Sequence, residues 1–321
     1  MNGVNTNSIF FDSIAYLEDK NYVSYDQFDV MMSPLINKLT SGSDLARRIA
    51  IQINKNIPFN IRSLLGYQPM MHTKTISDML TVYSNQYAIT KDEQWRIRAK
   101  KMYDLLMDRA LSLDGNIGWG LNFPYTTRFT NAQIDTPNLY NTLNSIQSLI
   151  DYYVVFEYND VPKIIRSVVR FMFEYLGIVD IDNETSWFRY YPNQKIPNIN
   201  VNATSTSFFV RVNIVLKESI IADSVIYRLL NFLVKNQNGD GSWYYALSEN
   251  GKWIDGYHTG FVLDALLYLD NEGYDYPFNT ALEKGLQYYL NNLFTVDGIP
   301  KFFNNNLYPI EAQNCAQAIQ T

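Results

Sequence analysis

The feature that most constrains this chain is a pattern that recurs four times after residue 115: an aromatic turn, a polar loop, then the start of a helix. The first copy is Gly118-Trp119-Gly120-Leu121-Asn122-Phe123-Pro124-Tyr125, then Asp135-Thr136-Pro137-Asn138, with a helix from Leu139. The second is Ser186-Trp187-Phe188-Arg189-Tyr190-Tyr191, then Asn198-Ile199-Asn200-Val201-Asn202. The third is Gly239-Asp240-Gly241-Ser242-Trp243-Tyr244-Tyr245, then Trp253-Ile254-Asp255-Gly256-Tyr257-His258. The fourth is Asp297-Gly298-Ile299-Pro300-Lys301-Phe302-Phe303, then Tyr308-Pro309-Ile310-Glu311. The interval between anchors at Trp119, Trp187, Trp243 and Phe302 holds two helices of about 15–20 residues with their loops, which is one antiparallel helical hairpin. Such a hairpin buries its apolar stripe only against neighbours, so the copies must stack. Repeated with a constant turn, they close into a ring with like-placed loops at one end. The expected fold is all-α: an (α/α) toroid of antiparallel helical hairpins, six-hairpin-like, forming one domain over 1–321. Residues 1–114 are its opening hairpins and 115–321 its repeats with aromatic loops.

Helical periodicity supports this. Between Asp92 and Leu113, Trp95, Ile97, Ala99, Met102, Tyr103, Leu106, Met107 and Ala110 are read as one apolar stripe, and Asp114-Gly115 as the stop. Further helices are expected at Ser43–Ile53, Thr75–Tyr87, Leu139–Phe156, Val161–Leu176, Thr204–Leu216, Ile220–Val234, Thr259–Leu269, Asn279–Leu293 and from near Glu311. No run of short alternating strands competes, and Lys20–Ser41 stays unassigned. Ala316–Thr321 stops within a helical pattern without a Gly or Asn cap, so the expected toroid lacks its last helix.

Composition narrows the function. A formal charge of −6 argues against a nucleic-acid groove, which needs clustered Lys and Arg. Cys315 is the only cysteine, which rules out an internal disulfide and argues against a Cys-based zinc site. No metal or cofactor is expected, because no phosphate-cradling Gly-rich loop, nucleophile elbow or cluster of metal ligands occurs. The N-terminus, Met1–Ser8, lacks a basic region followed by an apolar run, and no apolar stretch is long enough to span a bilayer. The default location is cytoplasmic.

Gln237-Asn238-Gly239-Asp240-Gly241-Ser242-Trp243 resembles the Gln-x-x-x-Gly-x-Trp repeat of squalene-cyclase-like α/α toroids. A fuller likeness joins Trp119, Pro124, Arg128, Thr136-Pro137-Asn138, Asn198, Asn200, Asp240–Trp243, Trp253–Phe261 and Tyr308–Ile310. In this combination, over roughly residues 115–321, the chain resembles VpsJ-like proteins of bacterial polysaccharide and capsule gene clusters. That resemblance implies an α/α toroid with a role in surface-polysaccharide metabolism, and it carries no catalytic assignment. Relatedness to six-hairpin glycosidases is a more distant likeness. Asp180-Ile181-Asp182-Asn183 matches three positions of the Asp-x-Asp-Asp motif of terpene cyclases, without a second diphosphate motif, which leaves a terpene-cyclase or prenyltransferase relative as the weakest reading.

The candidate chemistry lies at the helix starts. Asp255 and His258 flank one of them, where a carboxylate and an imidazole can serve as acid and base on a sugar; equally, Asp255 can cap the helix while His258 packs beside Trp253. Glu311 is the third catalytic candidate and Asp135 occupies a similar junction, since two carboxylates across a cleft suit glycoside hydrolysis; capping is the simpler role for each. His72 reads as a loop residue and Asp240 as a turn residue. Trp119, Tyr125, Trp187, Trp243, Trp253 and Tyr257 are candidates to hold a sugar, through stacking on its C–H face, or else they plug loops against the core. Arg128, Asn138, Asn198 and Asn200 are their polar companions, and Arg128 suits a uronate or a phosphate, or an ion pair with Asp135. The expected partner is an oligosaccharide or polysaccharide, including a lipid-linked precursor. The protein is read either as an enzyme of hydrolase, lyase or epimerase type or as a non-catalytic binding and assembly protein.

Overall fold

The computed structural model describes residues 6–321; most of the N-terminal stretch read for a targeting signal lies outside them. The chain forms two compact units, one ending at Val161 and one running Pro162–Thr321.

The first unit holds α1 (Thr6–Asp19), α2 (Pro34–Leu39), α3 (Asp44–Asn56), α4 (Thr73–Thr90), α5 (Glu93–Asp108) and α6 (Leu139–Phe156). Helix α4 packs against both α5 and α6. Ile76, Leu80 and Tyr83 of α4, Met102 and Leu106 of α5, and Leu143, Ile146 and Leu149 of α6 supply that buried seam. Asp92 caps α5 by accepting from the Gln94 N–H at 2.9 Å. The helix expected to reach Leu113 stops at Asp108. Asp114 (φ 50°) and Gly115 (φ 82°) are instead the turn of a hairpin pairing β3 (Leu111–Leu113) with β4 (Asn116–Gly118). An Asp-Gly pair with positive φ at both residues suits a tight hairpin turn as well as it suits a helix stop. Two further ribbons, β1 (Val23–Ser24) with β2 (Met70–Met71) and β5 (Tyr125–Thr126) with β6 (Asn131–Ala132), tie the loops together.

All but the first residue of α7 (Val161–Arg170) belongs to the second unit, and the helix widens into a π-helical turn over Phe171–Leu176. A ribbon of β7 (Ile178–Asp180) and β8 (Ser186–Phe188) follows, then α8 (Ile199–Leu216), α9 (Asp223–Lys235), α10 (Gly256–Asn271), α11 (Asn279–Asn292) and α12 (Ala312–Gln320). Helix α10 packs against α8, α11 and α12, while α8 also packs against α9. Helix α8 starts five residues before the expected Thr204, so the Asn-x-Asn stretch is its first turn rather than a loop. Asparagine is a poor helix former, but here Asn202 is buried and fully bonded: its Oδ1 accepts from the Phe188 N–H at 2.6 Å and its Nδ2 donates to the Asn198 carbonyl at 2.8 Å.

Aromatic residues make up 15% of the chain, and many of them belong to these cores. Tyr103 stacks on Tyr152 at 4.9 Å with Tyr158 edge-on to both, and Phe188 meets Phe173 and Phe209 at 5.1 and 5.5 Å. Among the described residues, no helix is long and apolar enough to cross a membrane.

Candidate functional site

The repeated loops work as staples between helix starts. In the first unit, the Asn122 amide donates to the Met71 carbonyl at 3.0 Å and the Thr73 hydroxyl to the Gly120 carbonyl at 3.3 Å, which ties the first aromatic loop to the start of α4. The same loop holds the start of α6, where the Asn138 N–H donates to the Trp119 carbonyl at 3.0 Å. In the second unit the third loop receives the Ile199 N–H of α8 on the Tyr245 carbonyl at 3.0 Å, and the fourth receives the Gly256 N–H of α10 on the Phe302 carbonyl at 2.9 Å. Each of these three loops therefore satisfies one backbone N–H at a helix start.

At the start of α10 this arrangement concentrates chemistry. Asp255 is buried and caps the helix, its Oδ1 accepting from the His258 N–H at 2.7 Å. Its Oδ2 lies 2.7 Å from His258 Nδ1 and accepts from the Trp253 indole N–H at 2.9 Å. A carboxylate facing Nδ1 requires the proton there, which leaves Nε2 as the basic nitrogen. Among the described residues nothing bonds that Nε2, and the imidazole keeps 27% of its surface exposed. Burial works to raise the Asp255 pKa; the facing His258, through charge and then two hydrogen bonds, and the Trp253 N–H outweigh it and hold the carboxyl below the ordinary aspartate value. Tyr245 stacks flat on Trp253 at 4.4 Å and meets the His258 ring edge-on at 4.6 Å, while Tyr257 packs edge-on to His258 at 5.3 Å. Gly256 is required beside them, because a Cβ there would lie 2.5 Å from Asn314 Oδ1 of α12 and 2.9 Å from the Lys301 carbonyl. The arrangement is a half-exposed imidazole with a fixed tautomer, walled by three aromatic rings, able to take or return a proton at Nε2.

The structure thus joins Trp253, Asp255, Tyr257 and His258 of the expected residues. Three of the expected tryptophans stand in the core, as plugs of their loops would. Trp119 is fully buried and its indole N–H donates to the Leu106 carbonyl at 2.9 Å; Trp243, 2% exposed, does the same to Leu233 at 2.9 Å. Both close a carbonyl in the last turn of the preceding helix, so their ring faces are covered by protein rather than offered to a ligand. Trp187 is likewise buried, on the ribbon opposite Val179. Gln237 of the Gln-x-x-x-Gly-x-Trp motif donates to both the Gly241 and Ala281 carbonyls, which makes the motif a clamp between α9 and α11.

Asn138 caps α6, accepting from the Asn141 N–H at 3.0 Å, and Asn198 is buried and accepts from the Gln194 amide at 2.6 Å. Asn200 is buried in the first turn of α8 with its Oδ1 unpartnered. Tyr125 is half-buried, edge-on to Phe28 at 5.6 Å, with its hydroxyl pushed up to about 12 by burial and then by the Asp26 charge. Arg128 and Asp135 occupy exposed loop positions, and Glu311 stands half-buried at the residue before α12. Asp240 accepts from the N–H and hydroxyl of Ser242, as a turn residue does.

Sequence reading missed Tyr245 as a site residue, although it closes the third aromatic turn. It also missed a polar cluster in the first unit, where fully buried Asp29 accepts from Arg62 at 3.0 Å and from the Tyr67 hydroxyl at 2.8 Å. Nearby, His72, placed just before α4, bonds Asn122 Oδ1 through Nδ1 and the Ser24 carbonyl through Nε2, each at 3.1 Å. Among the described residues no three His, Cys, Asp or Glu side chains come together as metal ligands would.

No family model and no curated protein matches the chain. Solved structures do. The cellobiose 2-epimerase from Bacillus thermoamylovorans B4167 superposes with a TM-score of 0.59 over 92% of this chain and 84% of its own, at 11% identity. The GH76 α-mannanase BT2949 of Bacteroides thetaiotaomicron gives 0.58 over 77% and 66%, at 13% identity. The polysaccharide lyase BACCELL_00875 gives 0.54 over 74% and 68%, at 10% identity. These likenesses define the class by its fold: an all-α protein of the α/α-toroid, six-hairpin type. The toroid expected from the repeat spacing is the fold found.

Proposed function

We propose that this protein binds an oligosaccharide and modifies it by proton transfer through the Asp255–His258 pair. The observation that carries the reading is the 2.7 Å contact between Asp255 Oδ2 and His258 Nδ1, which fixes the tautomer and leaves Nε2 as a base in an aromatic-walled site. A proton on a sugar carbon next to a carbonyl passes to Nε2 and its electron pair moves to the carbonyl oxygen. Returning a proton to the opposite face gives the epimer; expelling a glycosidic oxygen instead gives the unsaturated product of a lyase. Trp253 and Tyr257 hold the sugar beside the imidazole, with Glu311 at the start of α12 as the further acid. The fold neighbours, an epimerase, a mannanase and a lyase, support a saccharide substrate. The VpsJ-like pattern of residues 115–321 supports cytoplasmic surface-polysaccharide metabolism, with a lipid-linked precursor among the substrates. A single toroid domain over 1–321, with Tyr125, Arg128, Asp135, Asn138, Asn198 and Asn200 as further sugar contacts, belongs to the same proposal.

A panel of reducing and uronate-containing oligosaccharides incubated in heavy water tests it. Deuterium entering a sugar C–H position, observed by NMR and lost in His258→Asn, is the expected result. Saccharide binding without any exchange, unchanged in His258→Asn and Asp255→Asn, overturns the catalytic reading in favour of a non-catalytic polysaccharide-binding protein. That second reading is supported by the capping bond of Asp255, which a purely structural residue also makes.

A further inference from the structure

Residues 33–64 form a small lobe with two apolar sides. Its inner side is a core of Val30, Met31 and Ile51, against which Ile36 of α2, Ala50 of α3 and Leu65 pack. Its outer side carries large apolar residues as well. Leu45, Ile49 and Ile53, spaced four apart on one line of α3, are 60%, 51% and 56% exposed. Leu35 and Leu39 repeat that spacing on α2, and Leu64 is 85% exposed. Ile51, on the opposite side of α3, supplies the contact with the core, so the outer stripe is not needed to hold the helix in place.

Charge identifies what covers the stripe. The chain is acidic overall, with a net charge of −6, yet residues 33–64 carry Lys38, Arg47, Arg48, Lys55 and Arg62 against Asp44 alone. Arg62 is paired with buried Asp29 and Arg47 lies near Asp44, whereas Lys38, Arg48 and Lys55 join no ion pair among the described residues. At 100° per residue, Arg48 on α3 and Lys38 on α2 each flank their exposed stripe, whereas Lys55 turns toward the core side, its ammonium 5.2 Å from the centre of the Phe28 ring. An apolar stripe edged by unneutralised cations on a short surface helix is the arrangement that lies in the headgroup layer of a bilayer. The acidic remainder of the chain is repelled by the same surface, which orients the molecule with this lobe inward.

We propose that α3 and its neighbours are a docking surface for an anionic lipid membrane, holding the protein peripherally. The test is co-sedimentation of the full chain with phosphatidylcholine vesicles and with vesicles also containing phosphatidylglycerol. Binding only to the anionic vesicles, weakening as salt rises, is expected. Lys38→Gln and Arg48→Gln should each weaken it about fivefold. Ile49→Ser with Ile53→Ser should abolish it while the circular-dichroism melt stays as in the wild type. Lys38→Glu with Arg48→Glu, which leaves the apolar stripe intact, gives the same loss by an independent route. Wild-type protein that ignores anionic vesicles overturns the proposal, as does binding that survives both double variants. Self-association lost in the serine double variant, without vesicle binding, assigns the stripe to a second copy of the chain and overturns it too.

Discussion

A single carboxylate, that of Asp255, bonds both the backbone N–H and the ring Nδ1 of His258, each at 2.7 Å. The start of α10 and the orientation of the imidazole are therefore one structural fact, and a substitution that spares the first while losing the second separates stability from activity. Asn at an N-cap accepts the same backbone bond as Asp. Its amide cannot hold the Nδ1 proton as a carboxylate does. Asp255→Asn should lower stability by about 1 kcal/mol or less and cut proton exchange about 100-fold or more. Asp255→Ala should lose the exchange and cost about 2 kcal/mol as well. Urea unfolding beside exchange rates measures both.

The same pair makes a pH prediction. Asp255 has its folded pKa depressed, so its contribution to stability is present above the unfolded aspartate value near about 3.9 and is lost as pH falls through the lower folded value. The gap in unfolding free energy between wild type and Asp255→Asn should stay constant from pH 7 to about 5 and close below about pH 4. A gap closing near neutrality would place the dependence on another group.

Asp264 of α10 has the opposite sign. Burial raises its pKa against the hydrogen bonds from the α12 side, including Gln317 at 2.6 Å and Gln320 at 2.9 Å, both on Oδ2. A raised folded pKa penalises the carboxylate, so stability is greatest below the unfolded value and falls as pH rises through the folded one. An asparagine there offers one oxygen to the same two amides without the charge. Asp264→Asn should raise the melting temperature at pH 7 and leave it unchanged near pH 3, a comparison that thermal melts at the two pH values make directly.

The legibility of the chain followed the length of its signals. Helix α6 lies at the expected Leu139–Phe156, and α9 and α11 differ from expectation by three residues or fewer, because long stripes at steps of three and four fix a helical face. Ribbons of two or three residues carry no period, so β3 was absorbed into the helix before it, and α2, six residues long, lay inside the unassigned Lys20–Ser41. At the candidate site the Asp255–His258 spacing of three was visible because it is the spacing of a cap. The tryptophans leave two roles open for a physical reason: an indole that closes a helix carbonyl and one that stacks on a sugar both follow a small-residue turn. Only the positions of Leu106 and Leu233 tell them apart.

That distinction gives the last expected outcome. Trp243 is a plug on three counts: it is buried, its N–H closes the Leu233 carbonyl, and its ring lies against α11 where Gly285 leaves room. A Cβ at Gly285 would lie 2.6 Å from the Trp243 ring and 3.0 Å from a Leu263 methyl, in a core with little freedom to shift. Gly285→Ala, although it favours the helix by about 1 kcal/mol, should destabilise the protein by about 1–3 kcal/mol through that clash. Trp243→Phe leaves a carbonyl unpaired and a void, and should cost about 2–4 kcal/mol. In the double variant the smaller ring makes room for the methyl that Gly285→Ala adds, so the combined loss should fall short of the sum by about 1 kcal/mol. Urea unfolding of the four proteins measures that coupling. Strict additivity, or loss of saccharide binding in Trp243→Phe without loss of stability, would return Trp243 to the role of a ligand platform.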